Sequence, residues 1–256
     1  MKIAVITGAS SGIGREFVRR IDASYELDEI WVIARRAERL DELAAAGDIR
    51  AAVKPLPLDL SDKDAITRYA DKLKEENPAV ELLVNAAGYG KFRAFTQLSA
   101  EDQLGMIDLN CRALTAMTYA TLPYMPSGGK IIEMSSISAF QPVPYIDVYS
   151  ASKAYVLSFS RALNVELKSR GIRVTAVCPF WTKTEFFDRA VSDDTVTYFA
   201  RYSTPEQVVT RALHDVEKGK DVSVCGASNR LQVLACKLLP HRLVMKIWCR
   251  QQKKPS

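Results

Sequence analysis

Short apolar segments and amphipathic helical segments alternate along the chain from its second residue onward, and this alternation constrains the fold most. The apolar segments are rich in β-branched residues and apolar on both faces, as strands buried between two layers of helices require. Alternation of this kind predicts βαβ units in a doubly wound parallel sheet, the α/β class, without a second domain. We expect strands at 2–7, 29–34, 52–58, 80–85, 130–135, 172–178 and 221–226, and helices at 12–24, 36–46, 61–76, 99–123, 148–170 and 204–218.

The supply of reactive side chains excludes several classes of function. The chain of 256 residues has two histidines, His214 and His241, and five scattered cysteines without a CxxC pair. We therefore expect no metal site, no disulfide framework and no histidine-based triad; reduced thiols suit a cytoplasmic protein. The first apolar stretch runs directly into a turn and a helix, so we expect no signal peptide. No apolar run approaches the ~20 residues that span a bilayer, so we expect no membrane span.

A glycine-rich turn follows the first strand and opens the first helix. Glycines in such a turn let the backbone approach a phosphate, and the helix start presents free N–H groups and a positive dipole end. This placement predicts a dinucleotide site of the Rossmann type, although glycines kept only for a tight turn are the alternative. The candidate contacts are Gly8, Ser10, Ser11, Gly12, Ile13 and Gly14.

The residues after the second strand indicate which dinucleotide binds. An acidic residue at this place holds the ribose 2′-hydroxyl of NAD, but here the sequence has Arg35 and Arg36. Guanidinium groups suit the 2′-phosphate through charge-assisted hydrogen bonds, so the sequence favours NADP(H). The alternative is that both arginines merely begin a solvated helix.

Tyr149 and Lys153 lie four residues apart, a spacing that places both side chains on one face of a helix. Tyrosine has an ordinary pKa of ~10 and is a reluctant base at neutral pH. A neighbouring ammonium favours the phenolate, so the pair can pass a proton in either direction. An ordinary surface pair is the alternative for these two residues taken alone.

Together with these features, the motifs TGASSGIG, NAAG (85–88), DLN (108–110) and YSASK make the chain resemble the short-chain dehydrogenase/reductase family over about residues 2–226. The resemblance implies an oxidoreductase that moves hydride between a nicotinamide and a carbonyl or secondary alcohol, in a dimer or tetramer. It implies Tyr149 as general acid/base, Lys153 as its activator, Ser136 as the group that holds the substrate oxygen, and Asn110 as the anchor of a proton relay. It also implies cofactor contacts from Asp59, Asn85, Ala86, Gly88, Tyr149, Lys153, Pro179, Thr182 and Thr184.

The chain departs from the family pattern after the sixth strand, where Phe180 replaces the usual glycine. Aromatic residues follow through a loop at about 180–204, and they either wall the active site or pack the loop onto the core. A wall would suit a bulky apolar ketone, of steroid, acyl or polyketide type. The aromatic residues are Trp181, Phe186, Phe187, Tyr198, Phe199 and Tyr202.

Residues 230–256 form a basic extension to the catalytic domain expected at 1–229. The extension has seven Lys or Arg and no Asp or Glu, so residues 1–229 carry a net charge of −2 within the total of +5. A nucleic-acid partner is not expected, because no wide basic face with base-reading elements appears. Arg242, Lys246, Arg250 and Lys253 fall on one helical stripe beside an apolar one. Such a helix can close over substrate, pack in a dimer, touch an anionic membrane or meet an acidic partner.

Two rival functions use the same fold. One is a non-catalytic dinucleotide sensor, and the other is a membrane-associated scaffold that acts through its extension. Either would leave the intact set of Asn110, Ser136, Tyr149 and Lys153 without a purpose.

Overall fold

Seven parallel strands form one sheet in the order β3-β2-β1-β4-β5-β6-β7. The computed structural model describes residues 1–191, 193, 195–197 and 202–255, so Tyr198 and Phe199 lie outside the described residues. The order reverses direction between β1 and β4, as the doubly wound class requires. The strands are β1 (Lys2–Thr7), β2 (Glu29–Ala34), β3 (Ala52–Pro57), β4 (Ala79–Asn85), β5 (Lys130–Met134), β6 (Arg173–Val177) and β7 (Val222–Ser223).

Helices follow most strands and cover the sheet. Ser99 caps one of them through its hydroxyl, and Thr204 and Gln207 form a capping box on another. The helices are α1 (Gly12–Ser24), α2 (Ala37–Ala45), α3 (Lys63–Glu76), α4 (Ala100–Ile107), α5 (Leu114–Thr121), α6 (Asp147–Glu166), α7 (Phe186–Ala190), α8 (Pro205–Glu217), α9 (Ala227–Leu238) and α10 (His241–Gln251).

The hydrophobic core lies on both faces of the sheet. Alternate residues of β1 point to opposite sides: Ile6 packs with α1 and α8, whereas Val5 packs with α3 and α5. Both side chains are fully buried, and so is Trp31 on β2. Burial on both faces explains why the strands read as continuous apolar runs.

The predicted fold class is confirmed, and the expected strands and helices are found within a few residues of their predicted ends. Two regions differ in detail. The helix expected at 99–123 contains a π-helical segment at Asp108–Ala113 between α4 and α5. The extension forms two helices separated at Pro240, and α10 ends at Gln251, so Lys253 lies beyond the helical stripe on which it was expected.

In the described ranges, no helix has the combination of length and apolarity needed to cross a bilayer.

Candidate active site

A cavity of about 290 Å³ lies at the carboxyl ends of the strands, where parallel sheets bind ligands. The segments that follow β1 to β6 all contribute to its lining. We call the part lined within 8–14, 33–36, 58–60 and 86–89 the glycine side. We call the part lined by Phe92 and within 141–149, 180–189, 232 and 248 the aromatic side.

The turn after β1 fits a phosphate because its backbone is bare. Gly8 has φ of +69°, and a Cβ added there would lie 2.8 Å from the Ala86 carbonyl group. Gly12, with φ of +54°, begins α1. The Ser11 hydroxyl accepts from Arg36 rather than from the first turn of α1, so the first helical N–H groups have no side-chain cap. Ser10, Ile13 and Gly14, in the same turn and helix start, also line the cavity.

Arg36 lies across this turn. Its guanidinium donates to the Ser10 and Ser11 hydroxyls, each at 3.1 Å, and to the Glu185 carboxylate at 3.0 Å. Arg35 is more exposed, and its Nη1 lies 3.8 Å from the Asp59 carboxylate. Arg35, Arg36, Ser10 and Ser11 thus line one end of the glycine side, where the two guanidiniums are paired with the Asp59 and Glu185 carboxylates. Guanidinium donors of this kind suit a phosphate dianion.

Asp59 and the segment after β4 complete the glycine side. The Asp59 carboxylate accepts from the Ser61 backbone at 3.0 Å and holds the turn after β3. Ala86 and Gly88 line the cavity. Asn85 is placed differently: its side chain is buried and donates to Thr118 at 3.0 Å, in the interior between β4 and α5.

Tyr149 and Ser136 meet at the boundary of the two sides. Desolvation raises the pKa of the Tyr149 phenol to about 12, although a hydrogen bond with the Ser136 hydroxyl opposes this rise. The Ser136 oxygen also accepts from the Ser138 hydroxyl at 3.0 Å and from the Ser138 backbone at 3.2 Å. Ser135 turns away and donates to the Lys153 carbonyl at 2.8 Å. The serine at the phenol is therefore Ser136, positioned by Ser138.

Lys153 lies below the phenol on α6. Its ammonium donates to the Met134 carbonyl at 2.8 Å and lies 5.7 Å from the centroid of the Tyr149 ring. Burial lowers the pKa of Lys153 to about 8. The amine therefore changes charge near neutral pH, as a group that takes part in proton transfer should.

The π-helical segment positions Asn110, which is fully buried. Its amide donates to the Tyr89 carbonyl at 2.9 Å and to the Ser152 hydroxyl at 3.0 Å, while its oxygen accepts from the Tyr89 backbone at 3.1 Å. Ser152 in turn donates to the Tyr149 carbonyl at 2.7 Å. Asn110 thus fastens α6, and with it Tyr149, to the loop after β4.

Glu133 on β5 is a buried acid that sequence reasoning missed. Its Oε1 accepts from Thr118 at 2.8 Å and from Asn85 at 3.2 Å, and its Oε2 has no partner among the described residues. Desolvation raises its pKa to about 8 despite the hydrogen bonds from Thr118 and Asn85. A lone glutamate in the apolar strand KIIEM was the available signal.

The aromatic side is a set of rings in contact around Tyr149. The centroid of the Tyr149 ring lies 5.6 Å from that of Phe92 and 5.6 Å from that of Phe186. Trp181 continues the wall, 6.1 Å from Phe92 and 6.4 Å from Trp248 on α10. Trp248 and Gln232, both in the extension, line the cavity, and closing over the substrate was one of the roles that the sequence left open for the extension.

Phe180 serves both roles that were open for it. It lines the cavity and also packs against buried residues such as Val233 on α9. The backbone there avoids positive φ, so the loop path accommodates a phenylalanine. Pro179, Thr182 and Thr184 also line the cavity; the Thr182 hydroxyl donates to the Phe180 carbonyl at 2.9 Å.

The glycine side fits a nicotinamide dinucleotide by these observations. The bare turn and helix start suit a diphosphate, and the cavity continues to Tyr149. The residues that would hold the cofactor are those of the glycine side with Tyr149, Lys153, Pro179, Thr182 and Thr184.

Comparison with known proteins agrees with this geometry. A model of the short chain dehydrogenase family matches residues 2–195. Sulfoacetaldehyde reductase 2 of Chromohalobacter salexigens is 38% identical over 202 residues, which cover 75% of this chain and 79% of that protein.

Two solved structures extend the likeness over nearly the whole fold. A short-chain dehydrogenase from Sphingobium yanoikuyae in complex with NADPH has a TM-score of 0.79 and 31% identity, with 92% of each chain covered. The bulky-bulky ketone specific alcohol dehydrogenase from Comamonas testosteroni has a TM-score of 0.75 and 26% identity, covering 92% of this chain and 91% of that one.

The chain belongs to the short-chain dehydrogenase family. It is an oxidoreductase of the Rossmann type, in a family that binds nicotinamide dinucleotides and acts on small molecules.

Proposed function

We propose that this protein is an NADP(H)-dependent enzyme that interconverts a bulky apolar ketone and its secondary alcohol. The observation that carries the proposal is the meeting of Tyr149 and Ser136 at the boundary between the glycine side and the aromatic side. A carbonyl oxygen held there can receive hydrogen bonds from both hydroxyls while its substituents lie among the aromatic rings.

The side chains manage the proton and the charge on the substrate oxygen. When bound, the nicotinamide supplies or accepts the hydride. In reduction, Ser136 donates a hydrogen bond to the carbonyl oxygen, and Tyr149 transfers its proton to that oxygen as negative charge develops. Lys153, charged below its pKa of about 8, stabilises the phenolate that remains. In oxidation the same groups act in reverse.

The preference for NADP(H) is supported by Arg36 and Arg35. Both guanidiniums line the glycine side directly after β2, and Arg36 is held there by Ser10 and Ser11. NADP(H) dependence in turn favours reduction as the direction in the cell.

The preference for a bulky apolar substrate is supported by the aromatic side. Its rings come from several separated segments and surround the place where the substituents of the ketone would lie. The structure with known preference for bulky ketones is related at low identity and lends further support.

We further propose a homo-oligomer, a dimer or tetramer, formed partly by α4, α5 and α6. These helices expose large apolar side chains, among them Tyr119 and Val165. Residues 1–229 would form the catalytic domain with 230–256 as its extension. The free thiols of the chain suit work in the cytoplasm.

Turnover with a panel of carbonyl compounds tests the proposal. NADPH or NADH is mixed with the protein and with small ketones, bulky aryl ketones, a steroid ketone and sulfoacetaldehyde, and cofactor absorbance is followed. We expect NADPH oxidation with bulky ketones at higher kcat/KM than with acetone. Bound cofactor without turnover on any carbonyl or alcohol would support the sensor instead.

A further inference from the structure

Helix α9 leaves an apolar stripe uncovered. Leu231, Leu234 and Leu238 are exposed by 67%, 51% and 75%, and their spacing of three and four residues places them on one face. The opposite face is anchored, because Val233 is buried beside Phe180. The leucines are therefore presented outward by a helix that is fixed to the protein.

Helix α10 repeats this arrangement after the break at Pro240. Val244 is buried, and the Trp248 indole donates to the Pro144 carbonyl at 2.9 Å. Leu243 and Ile247, one turn apart, remain exposed. Both helices of the extension thus bury one face and expose apolar side chains on another.

Positive charge accompanies the exposed leucines. The seven Lys and Arg of residues 230–256 have no acidic residue among them in sequence. Among the described residues, no ion pair includes a residue after Asp221. None of these seven cations is therefore paired with a described carboxylate. Arg230, Arg242, Lys246 and Arg250 are exposed.

The combination selects one occupant for this face. A second copy related by a two-fold axis would bring the same basic face against itself, and like charges repel. A nucleic acid would use the cations but not the leucine stripes. An anionic lipid surface attracts the cations and receives the leucines at the level of its acyl chains.

We propose that α9 and α10 dock the protein on an anionic membrane surface through their exposed leucines and basic side chains. The extension carries Gln232 and Trp248 of the cavity lining on the same two helices. The docked face and part of the wall of the aromatic side therefore lie on the same two helices. The proposal does not depend on the reaction: a protein without turnover that binds vesicles would leave it standing.

Sedimentation of the full chain with lipid vesicles tests the proposal. Vesicles of phosphatidylcholine mixed with phosphatidylserine are compared with vesicles of phosphatidylcholine alone, at low and at high salt. We expect the protein to pellet with the mixed vesicles, to remain in solution with the neutral ones, and to bind less at high salt.

Paired variants separate the apolar from the electrostatic contribution. We expect Lys246→Gln with Arg250→Gln to weaken binding by about fivefold for each cation removed. We expect Leu234→Ser with Leu238→Ser to weaken it by about tenfold. The matched control is Lys63→Gln with Lys74→Gln, an exposed basic pair on α3, which should bind as the unaltered protein does.

Three outcomes would overturn membrane docking. The first is no pelleting of the unaltered protein with the mixed vesicles. The second is an unaltered affinity of the leucine variant, which would leave only non-specific attraction between charges. The third is a leucine variant that loses a subunit in light scattering while vesicle binding is unaffected, which would assign this face to contact between copies. Circular dichroism checks that each variant is folded.

Discussion

The glycine side and the aromatic side of the cavity are built by different means. On the glycine side, the binding groups are backbone N–H groups and hydroxyls held in place by polar contacts, such as those of Arg36 with Ser10 and Ser11. On the aromatic side, rings reach the cavity from segments as distant as Phe92 and Trp248, and they hold one another by packing. Polar contacts of fixed geometry suit a cofactor that is the same in every reaction. Packed rings can be replaced by other residues to suit another substrate, without disturbing the cofactor site.

Tyr149 belongs to both sides, so its replacement has the largest expected effect. Tyr149→Phe removes the proton donor and keeps the ring that packs against Phe92 and Phe186. We expect turnover of any ketone to fall by ~10³-fold, since a general acid contributes ~10²–10⁴-fold. NADPH affinity, measured by fluorescence titration, should remain nearly unchanged.

Ser135→Ala is the matched control, because its hydroxyl donates to the Lys153 carbonyl instead of facing the phenol. It should retain most of the activity. Substantial turnover by Tyr149→Phe would refute the acid/base role. Loss of NADPH binding would show that the phenol serves mainly to bind the cofactor rather than to transfer a proton.

Arg36→Ala tests the glycine side alone. Charge-assisted hydrogen bonds contribute ~1.5–3 kcal/mol, so we expect the KM for NADPH to rise by ~10–100-fold with little change for NADH. Steady-state kinetics with both cofactors and one ketone measure this ratio. Arg39→Ala is the control, since its guanidinium contacts the same Glu185 but approaches from α2.

An equal loss with both cofactors would contradict a 2′-phosphate site at Arg36. A shift in the ranking of ketones by the same variant would show that the two sides are coupled, contrary to the comparison above.

The sequence predicted the fold and the glycine side better than the aromatic side. Buried parallel strands are visible as apolar runs, and a phosphate-binding turn is a contiguous motif around Gly8 and Gly12. The π-helical segment was not predicted. Asn110 within it bonds to Tyr89 and Ser152, which lie 21 and 42 residues away in sequence, and local periodicity does not reveal such contacts.

Contacts over long sequence distances explain the other gaps. Trp248 reaches Trp181 from the end of the chain, and periodicity in α10 could not indicate what its buried face would touch. Asn85 lies in a motif typical of the cofactor site, yet its side chain turns into the interior. Neighbours in sequence do not specify which way a side chain points when helices pack on both faces of the sheet.

Trp248→Ala tests the aromatic side alone. Contacts in an apolar pocket are worth ~1–3 kcal/mol, so we expect the KM for a bulky aryl ketone to rise by about tenfold, with acetone and NADPH little affected. Trp248→Phe keeps a ring and should recover most of the affinity. A comparable change in the KM for NADPH would contradict the independence of the two sides.

Glu133→Gln has the smallest expected effect on the cavity and tests the buried hydrogen bonds of β5 in the interior. The variant keeps the size of the side chain and an oxygen that can accept from Thr118 and Asn85. The folded-state pKa of Glu133 is raised from 4.5 to about 8, so between these values the folded protein binds the proton and the unfolded chain does not. The free energy of unfolding therefore falls as pH rises from about 4.5 to about 8 in the unaltered protein, and this loss is absent from the variant.

The melting temperatures of the two proteins should then nearly coincide at the acidic end of that range and separate toward the upper end. We expect Glu133→Gln to melt at least about 3 °C higher there, since 1 kcal/mol corresponds to about 2–4 °C for a chain of this size. Glu75→Gln, at an exposed glutamate, should show no such separation. A difference that is the same at every pH would mean that Glu133 acts through packing rather than through its proton.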